Sequence, residues 1–247
     1  MTQLSVNLNK FALIRNSRGI NVPDLFEITK RCINFGAQGI TLHPRPDERH
    51  AKFTDLPIIS NIVNQNTNVE FNIEGYPSPK FIKEVISIKP HQVTLVPDPP
   101  EALTSSFGWD CTKHKSLLID VVRNFPQNNI RVSLFINPSI ETLQNLSEIL
   151  PERIELYTFD YAKEFQMNQE SAIKNYLKVV DFIQTNIPSI SFNAGHDLNL
   201  NNLDFLLNNI PSISEVSIGH ALVCESLLKF GLKNTIAKYL SITNSNK

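Results

Sequence analysis

Four of the six histidines stand in short polar stretches where proton transfer and anion binding could be combined. The stretch Gly39-Ile40-Thr41-Leu42-His43-Pro44-Arg45-Pro46-Asp47-Glu48-Arg49-His50 joins two histidines to two arginines. Histidine titrates near neutrality and can carry protons, while arginine offers a bidentate fork for phosphate. A charge run of this kind usually marks a solvated loop, and that reading suits Asp47, Glu48 and Arg49. Two carboxylates, Glu70 and Glu155, interrupt otherwise apolar runs, and a carboxylate in a partly dry interior has its pKa raised into the range of a usable acid or base. The alternative for Glu70 is a structural carboxylate neutralised by Arg45 or Lys10. The stretches Ser191-Phe192-Asn193-Ala194-Gly195-His196 and Ser217-Ile218-Gly219-His220-Ala221 each end an apolar run in small residues and a histidine. Gly219 would let backbone N–H groups approach an anion closely.

His43, His50, His196 and Glu70 are also of the types that ligate metals. No His-x-His or His-x-x-x-His spacing supports that reading, and the nearby arginines would oppose a cation. His91 and His114 are read as structural.

The elements that must position these residues follow from periodicity. Short apolar runs predict strands at Leu4–Leu8, Gly39–Leu42, Val69–Asn72, Gln92–Val96, Arg131–Ile136, Arg153–Tyr157, Ser189–Asn193 and Glu215–Ile218. Helical spacing separates them, most clearly at Ala172, Ile173, Tyr176, Leu177, Val180 and Ile183. Ser78-Pro79 and Pro23-Asp24 mark helix starts, and Gly36 marks a helix end. Eight alternating units with no linker predict one domain over 1–247, a closed (β/α)8 TIM barrel, with a doubly wound open sheet as the alternative. Against the open sheet, no Gly-x-Gly-x-x-Gly follows the first strand.

Strand parity separates the two faces. Val6, Leu8, Ile40, Leu42, Val69, Phe71, Ile154, Leu156, Ile190, Phe192, Val216 and Ile218 would face the helices. Asn7, Asn9, Thr41, His43, Glu70, Asn72, Glu155, Asn193, Ser217 and Gly219 would face inward. An interior built only for stability would hold Val, Ile and Leu, so polar residues gathering toward strand C-terminal ends point to a site there. Glu74 falls beyond the third strand in this reading, on a loop.

A chain of 247 residues with net charge −1 has no general attraction for nucleic acid or anionic lipid. No apolar run reaches membrane-spanning length, and Met1–Val6 lacks the features of a secretory signal. Cys32, Cys111 and Cys224 form no Cys-x-x-Cys pair, as expected of reduced thiols in a cytoplasmic protein.

In order along nearly the whole chain, several motifs resemble those of the pyridoxine 5′-phosphate synthase family, barrel enzymes that close the vitamin B6 ring. They are Val6-Asn7, Arg15-Asn16-Ser17-Arg18-Gly19, Gly39–His43 with Arg45 and Arg49-His50, Glu70, Leu95-Val96-Pro97 with Thr104, Val132-Ser133-Leu134-Phe135, Glu155, Asn193–His196 and Ile218–Ala221. The resemblance implies condensation of 3-amino-2-oxopropyl phosphate with 1-deoxy-D-xylulose 5-phosphate to pyridoxine 5′-phosphate. It implies that His43, Glu70 and His196 move protons and that Glu155 stabilises a transition state. It assigns Asn7, Arg18, Gly219, His220 and the residue after His196, here Asp197, to the amino ketone phosphate. It assigns Asn9, Lys10, Arg45, His50 and Thr104 to the xylulose phosphate. It further implies no metal or organic cofactor, a homo-octamer and a cytoplasmic location.

Many members carry Asp-His where this chain has Asn9-Lys10, and glycine where it has Asp197. Two other readings are a metal-dependent aldolase or isomerase barrel and an inactive phosphate-binding scaffold. A scaffold would need the phosphate contacts but not His43, Glu70 and His196 together.

Overall fold

The structure, a computed structural model, describes residues 1–98 and 107–245. Its eight strands are β1 (Gln3–Asn7), β2 (Gly39–Leu42), β3 (Glu70–Gly75), β4 (Gln92–Leu95), β5 (Arg131–Ile136), β6 (Arg153–Tyr157), β7 (Ser191–Gly195) and β8 (Ile213–Ile218). All neighbours run parallel, and β8 pairs back onto β1 to close the barrel. The helices that follow the strands are α1 (Asn9–Arg18), α2 (Leu25–Asn34), α3 (Asp55–Asn64), α4 (Pro79–Ile88), α5 (Lys115–Val122), α6 (Leu146–Ile149), α7 (Phe159–Phe165), α8 (Gln169–Asn186), α9 (Leu203–Asn209), α10 (His220–Glu225) and α11 (Gly231–Ser245).

Local chemistry accounts for several boundaries. The Asp24 carboxylate accepts the Phe26 N–H at the start of α2, and Ser78 Oγ accepts the Phe81 N–H ahead of Pro79 in α4. The chain leaves α2 through Gly36, whose φ of 102° is open to glycine without strain. The outward set behaves as parity predicts: Val6, Ile40, Leu42, Phe71, Ile154, Leu156, Phe192, Val216 and Ile218 are all buried in one apolar layer between strands and helices. Cys32 and Cys111 are buried free thiols whose pKa is pushed up to about 12, chiefly by burial. No helix of the described residues is long and apolar enough to cross a membrane.

Three elements depart from the sequence reading. Helix α1 begins at Asn9, directly after β1, so Asn9 and Lys10 open a helix and Arg18 closes it. Strand β3 spans Glu70–Gly75 rather than ending at Asn72, because Asn72–Gly75 continue to pair with Gln92–Leu95 of β4. Glu70 is therefore the first residue of its strand. Strand β7 likewise runs on to Gly195.

Candidate active site

The register sets the height of each inward side chain. Gly39 pairs with Glu70 and Leu42 with Ile73, which brings His43 level with Glu74 at the C-terminal mouth. His43 Nδ1 lies 3.8 Å from Glu74 Oε2, and both side chains are buried. Asn7 Nδ2 donates to the same Glu74 oxygen at 3.4 Å, while Asn7 Oδ1 accepts the Asn9 N–H at 3.0 Å. Asn9 Oδ1 in turn accepts the His43 N–H at 2.9 Å. That contact asks only for an acceptor, so an amide at position 9 serves it without a charge.

Glu74, Glu155, His43, His50, His196 and His220 converge on one cavity of about 400 Å³. Burial, reinforced by Asp98, pushes the Glu74 carboxyl up to about 7 against the opposing charge of Arg45 and the hydrogen bond from Asn7. Burial also raises Glu155 well above the usual carboxylate range, with Glu74 and Glu215 adding to it and the Thr94 hydroxyl opposing it. His43 is driven the other way by burial and by Arg45, His50 and Arg49, so it is neutral at physiological pH. Glu155 reaches the mouth because Gly195 beside it has no side chain: a Cβ there would fall 2.2 Å from Glu155 Oε1.

His50 is lowered to about 4 by burial and by Arg45, Arg49 and Lys10. Its Nδ1 accepts the Ala51 N–H at 3.0 Å, which assigns the proton of the neutral ring to Nε2. Its loop is pinned from α1, where Asn16 Nδ2 donates to the carbonyls of Glu48, Arg49 and His50 at 3.1, 3.0 and 2.7 Å. Arg15 anchors the same helix through a buried pair with Asp55. Lys10, Gly219 and His220 complete another part of the cavity wall, and a Cβ on Gly219 would press on Asn7 Cβ at 3.2 Å.

Several expectations are corrected. Glu70 does not line the cavity; it lies at the opposite, N-terminal end, paired with Arg131. Burial works to raise its pKa, but the hydrogen bond and charge of Arg131, with Arg153 and His91, hold the carboxyl below its ordinary value. The reason is geometric: Glu70 and Glu74 share a face, but four residues of strand separate them by about 13 Å. Neither Arg45 nor Lys10 is its partner.

Arg45 is buried, 2.5 Å from the equally buried Asp98, while still lining the cavity. Arg18 is exposed at the end of α1 and lies outside the cavity wall. The groups around Arg45–His50 and Gly219–His220, expected as two anion sites, line one continuous cavity. Asp197 lines it too, but with its carboxylate turned onto His196. Thr104 lies outside the described residues.

Glu74, Asn16 and Asp98 were missed as contributors. The alternation Glu70-x-Asn72-x-Glu74 was visible and would have found Glu74 had the strand been carried two residues further. Nothing in the sequence ties Asp98 to Arg45.

If Glu74 acts in its ionised form, the rate should climb as pH passes through its pKa. The acid limb of kcat/KM is therefore expected to bend near 7. A profile flat from pH 5 to 8 would exclude this carboxyl as the base.

A closed parallel barrel with carboxyls, histidines and cations gathered at its C-terminal mouth defines a (β/α)8 enzyme built for acid–base work on anionic substrates. A family model described as pyridoxal phosphate biosynthesis protein PdxJ matches residues 4–245, and the chain belongs to that family. The chain is 49% identical over 240 residues to the pyridoxine 5′-phosphate synthase of Cytophaga hutchinsonii, covering 97% of this chain and 98% of the relative. Its counterpart in Parabacteroides distasonis is 45% identical over 245 residues, covering 99% and 100%. Among solved structures, a phosphoribosyl anthranilate isomerase covers 99% of this chain and 100% of its own, with a TM-score of 0.60 at 15% identity. That likeness carries the barrel fold alone.

Proposed function

We propose that the chain catalyses the ring-closing condensation of 3-amino-2-oxopropyl phosphate with 1-deoxy-D-xylulose 5-phosphate, releasing pyridoxine 5′-phosphate, inorganic phosphate and water. The observation that carries this is near-50% identity, over nearly the full length of both chains, to a pyridoxine 5′-phosphate synthase. The cavity chemistry supports it. Imine formation, phosphate elimination, ring closure and dehydration all need protons exchanged near neutral pH, and two phosphate esters need cations and N–H donors.

In this reading Glu74, His43, His196 and Glu155 move the protons. Glu74, with a pKa of about 7, exchanges them most readily, in the role first given to Glu70. Glu155, held protonated by burial, donates to a departing oxygen. Neutral His43 either accepts or donates a hydrogen bond at its free valence. Arg45, His50 and Lys10 face the xylulose phosphate; Asn7, Gly219 and His220 face the amino ketone phosphate, with Asn9 positioning His43. An octamer in the cytoplasm completes the reading, and light scattering of the purified protein checks the assembly.

The test is incubation of metal-free protein with both substrates while following the absorbance of the new pyridine ring. Turnover is expected to survive exhaustive chelation. Activity abolished by EDTA and restored by one divalent metal would instead favour the aldolase or isomerase reading.

A further inference from the structure

His196 and Asp197 are adjacent residues with positive φ, 88° and 59°, a conformation that non-glycine residues seldom adopt. Two consecutive residues of this kind need outside support, and the structure supplies it on both sides. Thr158 Oγ1 donates to the carbonyls of Gly195 and His196 at 2.7 and 2.5 Å. The buried Asn202 donates through Nδ2 to the Asp197 carbonyl at 3.2 Å, and Tyr161 Oη fixes Asn202 by donating to its carbonyl at 2.6 Å.

The conformation held in this way folds the Asp197 side chain back onto its neighbour's ring. His196 Nδ1 and Asp197 Oδ2 are 2.5 Å apart. The ring is confined on two sides, edge-on to Tyr157 at 4.9 Å and to Phe159 at 6.1 Å between centroids. Both His196 and Asp197 line the cavity.

We infer that Asp197 is a positioning residue that holds His196 in the tautomer protonated at Nδ1, presenting Nε2 to the substrate as the proton-exchanging atom. An ionised carboxylate can only accept, so the proton between the two atoms resides on Nδ1. The hydrogen bond to His196 is itself the main influence keeping the Asp197 carboxyl below its ordinary value, so it is ionised wherever the enzyme works. An aspartate placed this way selects the tautomer, restrains the ring and stabilises the imidazolium formed in the reaction. The clamps by Thr158 and Asn202 hold the unfavourable backbone at two successive positions, and in that conformation the carboxylate lies against the ring. The inference rests on the proposed role of His196 in proton transfer.

The test uses Asp197→Asn and Asp197→Gly with two readouts. In protein labelled with ¹⁵N-histidine, the resonances of His196, assigned by their loss in His196→Gln, report the tautomer directly. The wild type is expected to show Nδ1–H, and both variants a mixture of tautomers. In the assay both variants should lose kcat by about 10–10²-fold, part of what one acid–base group contributes, with KM changed less than about 2-fold.

Glycine relaxes the left-handed backbone, so Asp197→Gly should keep or raise the melting temperature. A purely structural aspartate would show the reverse, a lower melting temperature with kcat intact, and that result overturns the inference. So does a His196 tautomer unchanged in both variants. If the wild-type protein fails to turn over the two phosphates, the proposed reaction falls, while the tautomer measurement still decides what Asp197 does to His196.

Discussion

Replacing Glu74 with glutamine is expected to lower turnover by roughly 10²–10⁴-fold while substrates still bind and the protein still melts cooperatively. Glutamine keeps the side-chain shape and can still accept from Asn7 Nδ2, but it exchanges no proton. Removing the carboxyl also removes one cause of the raised Glu155 pKa, so Glu155 should ionise more easily in the variant. That second change works in the same direction, since a protonated donor is lost. The stability effect has the opposite sign. Glu74 has a folded pKa above its unfolded value, so its contribution to stability is present below about 4.5 and lost as pH rises through about 7. Above that pH the glutamine variant should melt no lower than the wild type.

Glu70→Gln is the paired control. It breaks a charged contact with Arg131 far from the cavity, so it is expected to lower stability by roughly 1–3 kcal/mol and to spare kcat. Near-normal turnover in Glu74→Gln, together with its loss in a well-folded Glu70→Gln, would reverse the assignment of the base.

The second large effect is expected from Gly195→Ala, a change of one methyl group. The new Cβ would sit 2.2 Å from Glu155 Oε1 and 3.2 Å from its carboxyl carbon. A carboxyl group is the movable end of its side chain, so the conflict is relieved by turning Glu155 away rather than by opening the strand pair. Turnover should fall by about 10²-fold or more, as when a catalytic acid is displaced, with a smaller change in melting temperature. A double variant with Glu155→Gln should be little worse than the worse single one, because both act on the same group. Full additivity in kcat would mean that Gly195 matters for another reason.

The barrel was legible because alternation at Val6, Ile40, Leu42, Phe71 and Phe192 leaves one arrangement in which every apolar side chain faces helices. Parity also put Glu70 correctly on the inner face. What parity cannot supply is height along the axis, since residues 70, 72 and 74 all point inward. Height depends on pairing with β2 and β4, a long-range property that no local pattern encodes. Helix α1 was missed for a different reason: its polar Asn9-Lys10 start and Asn16-Ser17-Arg18 end resemble a loop, and it is held by tertiary contacts such as Arg15 with Asp55. The pairing of Arg45 with Asp98 is not legible in the sequence, because 53 positions separate the two residues. The histidines at the ends of β2 and β7 were found where they are because strand ends that finish in polar residues leave few other positions for them.

The N-terminal end of the barrel interior holds a belt rather than a plug of aliphatic side chains. Arg131 donates to Gln92 and pairs with Glu70, while Arg153 donates to Gln92, Asn193 and Glu215. These six residues come one from each of β3 to β8, so two guanidinium groups tie together six consecutive staves. Oily contacts tolerate sliding, because one aliphatic group replaces another at small cost. A guanidinium held among fixed acceptors does not: moving any of these staves by two residues keeps its face but breaks part of the hydrogen-bonded network around a half-buried or buried charge. The belt thus acts as a vernier that admits one stagger of the strands. The same stagger, carried to the other mouth, is what sets Glu74 level with His43.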